Sequence, residues 1–467
     1  MKNFTTKMVG YTLALSTLLS VATATAEERH PLFEDGDKVC FVGNSITMGG
    51  AYTKYIMQYY TTRYPLMRLH YRNNGLGGDI TRGVLDRIDT DILCNDPDVA
   101  IMMIGMNDSG EKITADLDES DDAAVARETQ LRYDLYTKYL DQINEILADN
   151  SRDFILFTPS IYDEMMEKKS PGQVGRNHRL YTYGEYIKST ADKYDATVVD
   201  IWAKTNAVSL ELQKSDPNDS YVGKNGDRIH PGNFGGFVMA NEFISTVEEP
   251  SVVSKVVIDA AKSTLVESVR AEVSEVVGDK TSLSFDLLAE GLPFVFDKES
   301  LRAASGFTTF IEDYNREIVA VSGLKKGSYK LLIDDVEIGT YSSAELADGV
   351  NLAANELTPQ YKQSAAVMEL NTTLQKLTYK TRVLPLVEHR ILHLRSDFEQ
   401  YLRPDQVIEE ITKRLETEKQ SYYIQRYNEY IKYQPNRDQT KVELLLLQDK
   451  LYDMSQPTKH TYKLVRE

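Results

Sequence analysis

Between residues 37 and 247 the chain alternates short apolar runs with longer segments of helical period. No other feature restricts the fold as strongly. The apolar runs are Val39–Val42, Leu69–Tyr71, Val99–Ile104, Phe154–Phe157 and Thr197–Ile201. The helix-period segments between and after them are Ala51–Tyr64, Ile80–Leu93, Ala124–Ala148, Tyr181–Tyr194 and Phe234–Val247. Continuous apolar strands, rather than alternating ones, are the mark of strands buried on both faces. Strands joined through helices make a parallel sheet, so a three-layer α/β/α domain is predicted.

The rest of the chain changes character twice. Residues 248–275 read as a helical connector. Ser282–Leu288, Phe307–Ile311, Ile318–Val321, Tyr329–Ile333 and Glu337–Tyr341 read as short strands, with turns at Leu324–Gly327 and Asp334-Asp335. From Ala344 onward the pattern is helical again: Val367, Leu370, Leu374 and Leu377 step by three or four. Pro385, Pro404 and Pro435 punctuate this tail. The organisation expected is a signal peptide over 1–26, an α/β domain over 27–247, a connector helix with a small β module over 248–343, and a helical C-terminal region over 344–467. The tail's Tyr422, Tyr423, Tyr427, Tyr430 and Tyr433 are read mainly as packing residues.

The N-terminus has the pattern of a secretory signal: Lys2 and Lys7, an apolar stretch from Val9 to Val21, then Ala24-Thr25-Ala26 before Glu27. Cleavage after Ala26 predicts a periplasmic or secreted protein. The formal net charge is −18, and cleavage removes two lysines and no acids. Such a balance argues against nucleic acid or an anionic membrane as partner, and no later stretch is long enough to be an integral membrane span. Cys40 and Cys94 are the two cysteines. An oxidising compartment permits a bridge between them, but two separately buried thiols are an equal reading.

A strand that ends in Gly43-Asn44-Ser45-Ile46-Thr47 can lift a serine hydroxyl to the open edge of the sheet. A serine nucleophile needs a histidine base oriented by a carboxylate. Of seven histidines, His230 alone has an aspartate three residues before it, in Asp227-Arg228-Ile229-His230-Pro231. It also needs N–H donors for an oxyanion. Two further strand ends offer them: Asn73-Asn74-Gly75-Leu76-Gly77-Gly78-Asp79, and Gly105-Met106-Asn107-Asp108. Each motif alone is an ordinary turn or cap. Together they line one edge of one parallel sheet, where ligands bind in such folds.

With these four blocks the sequence resembles the SGNH (GDSL-like) hydrolase superfamily over residues 37–247. The resemblance implies a flavodoxin-like α/β domain, with Ser45 as nucleophile, His230 as general base and Asp227 as its orienting acid. It also implies an oxyanion hole made by the backbone N–H groups of Ser45 and Gly78 and the side chain of Asn107, with no metal or organic cofactor. One position departs from the pattern, since the family's usual aspartate before the serine is Asn44 here. Leu292-Pro293-Phe294, Gly327-x-Tyr329-x-Leu331-x-Ile333-Asp334 and Ala344-Glu345-Leu346-Ala347-x-Gly349-x-Asn351 are similar to extensions of secreted bacterial SGNH enzymes that act on polysaccharides.

The expected function is therefore a secreted serine esterase acting on O-acyl, chiefly O-acetyl, esters of carbohydrates. Two alternatives stay open: a lipase, lysophospholipase or thioesterase on the same scaffold, and a non-catalytic glycan-binding protein with a relic site. The helical tail has three roles open to it: a homodimer interface, a lid beside the site, or a brace for the β module.

Overall fold

The computed structural model describes residues 32–110, 120–167, 172–224, 226–392 and 403–467. The expected signal peptide lies outside them. Among the described residues no helix is long and apolar enough to cross a membrane.

The first five strands are β1 (Lys38–Gly43), β2 (His70–Gly75), β3 (Val99–Met103), β4 (Asp153–Phe157) and β5 (Ala196–Val199). They form one sheet in the order β2-β1-β3-β4-β5, and every neighbouring pair is parallel. Helices flank this sheet, so Val39, Cys40, Phe41 and Val42 of β1 are all buried. The chain leaves β1 for β2 on one side and then crosses to β3 on the other. The C-terminal end of β1 is thus a topological switch point, where α/β sheets open a crevice. Gly43 at the end of β1 pairs with Gly75 of β2 and Met103 of β3. The three loops that follow these strands must therefore meet.

Most predicted elements are found within a few residues, but the helix Ile201–Gln213 was not anticipated, and the segment expected as helix over Ile80–Leu93 divides. It is α-helical only over Thr81–Asp86, then turns through a wider π-type coil over Ile88–Ile92. Neither cysteine is bonded: Cys40 is buried in β1, where burial pushes its thiol up to about 12, and Cys94 is exposed rather than buried.

Residues 248–275 are not a connector helix. They hold β6 (Ser254–Asp259), β7 (Thr264–Val269) and the start of β8 (Ala271–Gly278). In β6, Ser254, Val256 and Ile258 are buried on alternate positions, the two-residue period of a strand with one inward face. The turns between these strands rest on Ser263 and Arg270, both in the left-handed region (φ of 53° each), so no glycine marks them. After β9 (Ser282–Ala289), the expected strand Phe307–Ile311 is instead the junction of two helices, Lys298–Phe307 and Phe310–Tyr314. There Phe310 packs against Phe237 and Phe294, with ring centres 5.2 and 5.0 Å away. The strands β10 (Glu317–Ser322), β11 (Ser328–Ile333), β12 (Val336–Ser342) and β13 (Val350–Asn351) follow.

The helical tail ends in a final strand, β14 (His460–Arg466), which inserts between β9 and β11. The two sheets of the module run β13-β10-β6-β7 and β12-β11-β14-β9-β8. They share one core, to which β14 contributes Tyr462 and Leu464. A boundary at 343/344 would cut through this module, because its second sheet is completed by the last residues of the chain. Before that return, the tail runs as helices Pro359–Pro385, Pro404–Leu415, Ser421–Tyr433 and Arg437–Ser455. Val383, Leu384, Leu386 and Val387 pack there with Val407, Ile411, Tyr427 and Tyr430, and also with Met48 and Leu76 of the α/β domain. The tail thus lies directly against the loops after β1 and β2.

Candidate active site

Ser45 is the first residue of a short helix, Ser45–Gly49, that begins where β1 ends. Asn44 caps it. Its buried side-chain oxygen accepts the Ile46 N–H at 2.9 Å, the task any short polar acceptor performs at this position. An amide therefore serves the turn as an aspartate would. The loop after β2 presses on the same helix. A Cβ on Gly75 would lie 2.2 Å from the Met48 backbone nitrogen, so only glycine fits. Asn73 ties the two together, donating from Nδ2 to Thr47 O at 2.6 Å and accepting the Gly75 N–H at 2.9 Å.

His230 lies in the loop before the helix Asn233–Val247. Its Nε2 is 2.7 Å from Ser45 Oγ, and its Nδ1 is 2.5 Å from Asp227 Oδ2. The other carboxylate oxygen of Asp227 accepts the His230 and Ile229 backbone N–H groups at 2.8 and 3.0 Å. Partial burial alone would raise the Asp227 carboxyl. The imidazole and the two N–H groups outweigh it and hold the group well below the usual carboxylate range, hence ionised at neutral pH. An ionised acceptor on Nδ1 favours the tautomer whose Nε2 is a free acceptor for the serine proton.

Two residues given no role by the motifs hold this loop. Buried Tyr221 sets its hydroxyl 2.8 and 2.9 Å from Ile229 O and Ile161 O, with its one hydrogen shared between the two carbonyls. Arg228, left-handed at φ 76°, buries its guanidinium and donates to Asp163 O at 2.7 Å. A left-handed, buried arginine has no sequence signature.

The oxyanion candidates come together on the other flank. Gly78 adopts φ 74°. Asn107, from the loop after β3, donates from Nδ2 to Asp79 O at 2.8 Å, which sets its amide against the Gly78-Asp79 turn. An amide nitrogen carries two hydrogens, and this bond uses one. Asp108 beside it accepts the Thr81 N–H and hydroxyl at 2.9 and 2.6 Å. Burial pushes its carboxyl up to about 6, with the Thr81 donors opposing. The structure thus brings Ser45, Asp227 and His230 into one hydrogen-bonded chain, and places Gly78 and Asn107 together at the neighbouring strand ends.

The tail reaches this flank as well. Arg390 Nε donates to Gly78 O at 3.1 Å. Arg382 Nε donates to Gly75 O at 3.0 Å, and its two terminal nitrogens grip Asp91 at 2.7 and 2.6 Å. Asp91 also receives Arg87, which bonds Asp79 at 2.9 Å. A buried ionic network therefore runs from the tail to the residue after Gly78. A cavity of about 820 Å³ lies beside this network, between β2 and the tail.

The GDSL-like lipase/acylhydrolase family model matches residues 41–235, which span β1 to the start of the helix after His230. An acetylxylan esterase of Geobacillus stearothermophilus is 24% identical over 227 residues, covering 45% of this chain and 94% of that protein. Its crystal structure aligns with 46% of this chain at 23% identity, with a TM-score of 0.36. A solved gut microbial diltiazem-metabolizing enzyme is 30% identical and covers 94% of this chain and 99% of its own, with a TM-score of 0.83. This chain belongs to the SGNH family of GDSL-like lipases and acylhydrolases, and it is an ester hydrolase.

Proposed function

We propose that this chain is a secreted serine esterase that removes O-acyl groups, chiefly O-acetyl groups, from carbohydrates through an acyl-enzyme intermediate. The observation that carries the mechanism is the continuous relay from Ser45 Oγ through His230 to Asp227, at 2.7 and 2.5 Å. Ser45 attacks the acyl carbon while His230 Nε2 takes its proton, and Asp227 stabilises the imidazolium that forms. The charge on the former carbonyl oxygen falls to the Ser45 and Gly78 N–H groups and the second Nδ2 hydrogen of Asn107. Collapse expels the sugar alkoxide, which takes the proton back from His230. Water then attacks the acyl-serine with the same base, and acetate leaves.

The substrate class rests on the acetylxylan esterase relative, which matches this chain over 94% of its own length. A second reading, a compact non-carbohydrate ester, is favoured by the diltiazem-metabolizing relative that covers 94% of this chain. Acetate release from a panel of acetylated oligosaccharides and from diltiazem, with Ser45→Ala as control, separates them. Turnover of the glycans, abolished in Ser45→Ala, is expected. Turnover of diltiazem alone would favour the second reading, and full activity in Ser45→Ala would overturn the nucleophile. A preference for p-nitrophenyl esters of about eight carbons or more would point instead to a lipase or thioesterase.

A further inference from the structure

Beside the oxyanion turn the helical tail forms a cleft of about 410 Å³. Gly77 and Gly78 make one wall. Arg390, Arg414, Glu418, Tyr422 and Tyr423 line the cleft with the buried Tyr427, and Ile391 adds an aliphatic surface. We infer that this cleft is the binding subsite for the hydroxylated, non-acyl part of the substrate, the sugar ring that bears or neighbours the ester. The inference rests on the esterase reading above and adds where, and by which residues, the alcohol side is recognised.

Three observations carry it. The first is position. The cleft shares Gly78 with the proposed oxyanion hole, and Arg390 donates to Gly78 O at 3.1 Å, so a molecule held here borders the oxyanion turn. The second is chemistry. Two guanidiniums, a carboxylate and phenol hydroxyls suit an occupant rich in hydroxyls. An alkyl chain would strip water from these groups and return no hydrogen bonds, which is costly for charged groups.

The third is the state of the tyrosines. Tyr427 and Tyr430 are buried packing residues, as the sequence suggests, but Tyr422 is 47% exposed and Tyr423 half-buried. Their rings meet edge to face at 5.4 Å. The Arg426 guanidinium lies 5.4 Å from the Tyr422 ring centre. A helix of an acidic chain that leaves such a ring in solvent at the rim of a polar cleft offers a stacking platform. The tail is then neither a lid nor only a brace, but part of the binding surface.

The test compares Tyr422→Ala, Tyr423→Ala and Tyr422→Phe with the wild-type full chain. The substrates are acetylated xylo- and cello-oligosaccharides, p-nitrophenyl acetate and p-nitrophenyl octanoate. Each alanine variant is expected to lower kcat/KM on the oligosaccharides by about 3- to 10-fold, mainly through KM, the worth of one lost ring contact. Activity on p-nitrophenyl acetate should stay within about two-fold, and Tyr422→Phe should keep most of the oligosaccharide activity. Equal losses on both acetyl substrates, or oligosaccharide kinetics unchanged in both alanine variants, would overturn the subsite while leaving the esterase reading intact. A loss confined to the octanoate would reassign the cleft to the acyl chain. A wild type that cleaves p-nitrophenyl acetate but no acetylated glycan would overturn the carbohydrate reading and the subsite together.

Discussion

Arg382 offers the sharpest test of how the tail supports the site. It lies near the end of the helix Pro359–Pro385, with its side chain 8% exposed and that of Asp91 11% exposed. Four charges form the buried group: Arg382 and Arg87 against Asp91 and Asp79. Arg382→Met removes one cation and leaves a net negative charge in the interior. Breaking a buried pair this way costs about 3–5 kcal/mol. Arg87 still reaches Asp91 at 2.5 Å, so a value near the lower bound, about 3 kcal/mol, is expected. Urea denaturation of the full chain at pH 7 measures it. The double variant Arg382→Met/Asp91→Asn restores charge balance, leaving Arg87 with Asp79, and should be more stable than Arg382→Met alone. Its kcat should nonetheless stay depressed, by about 10-fold or more, because Gly75 O still lacks its guanidinium and the proposed oxyanion turn is misplaced. Acid supplies a further check. Burial raises the Asp91 carboxyl, but Arg382 and then Arg87 outweigh it and hold the group well below its unfolded value of about 3.9. Its contribution is present above that value and is lost as pH falls below it, so the gap between wild type and Arg382→Met should narrow below about pH 4. A cost under about 1 kcal/mol for Arg382→Met, or a double variant less stable than the single, would refute the uncompensated charge as the cause.

Asn107→Ala should lower kcat by about 10²–10³ in steady-state assays on p-nitrophenyl acetate, with KM little changed, the loss typical of one oxyanion donor. Glu317 in β10 is buried, and neither carboxylate oxygen has a hydrogen-bond partner among the described residues; burial pushes it up from the usual 4.5 to about 7. A folded value above the unfolded one makes stability fall as pH rises from about 4.5 to 7, by up to about 3 kcal/mol. Urea midpoints at pH 5 and pH 8 should therefore differ less in Glu317→Gln than in wild type; an unchanged difference would show that Glu317 is not the group responsible.

The α/β domain was legible because its signal is redundant. Continuous apolar runs such as Val39–Val42, spaced by helix-period segments, mark strands buried on both faces, and Ser45, Gly78 and Asn107, in the loops that follow them, inherited their places from the strand order. His230 was found through Asp227, three residues away, because a short loop lets both ends of that pair be read locally. In the β module the strand at Ser282–Leu288 was legible because its inward and outward residues alternate without interruption. At 248–275 the hairpin turns fall on Ser263 and Arg270, whose left-handed backbone no composition rule announces. β14 escaped notice for a different reason: its partners, β9 and β11, lie more than a hundred residues upstream, and a seven-residue strand after long helices carries little period of its own. Arg382 and Arg390 were invisible among the charges of a polar helix. Their importance comes from tertiary contacts alone.

Those two arginines change what the extension means for the chemistry. Gly75, Gly77 and Gly78 are the residues least able to hold a fixed backbone by themselves, yet an oxyanion hole works only if its N–H donors are already aimed. In this chain the carbonyls of Gly75 and Gly78 are each held by a guanidinium from the tail, while Asn107 holds the carbonyl of Asp79. Held carbonyls on either side of the turn limit how far its inner peptides can rotate, the Gly77–Gly78 peptide that carries the Gly78 N–H among them. The entropy of ordering a glycine turn is offset by bonds from side chains outside it rather than by the turn itself. The Geobacillus relative matches only 45% of this chain. The tail thus supports the proposed oxyanion turn and brings Tyr422 and Tyr423 to its edge.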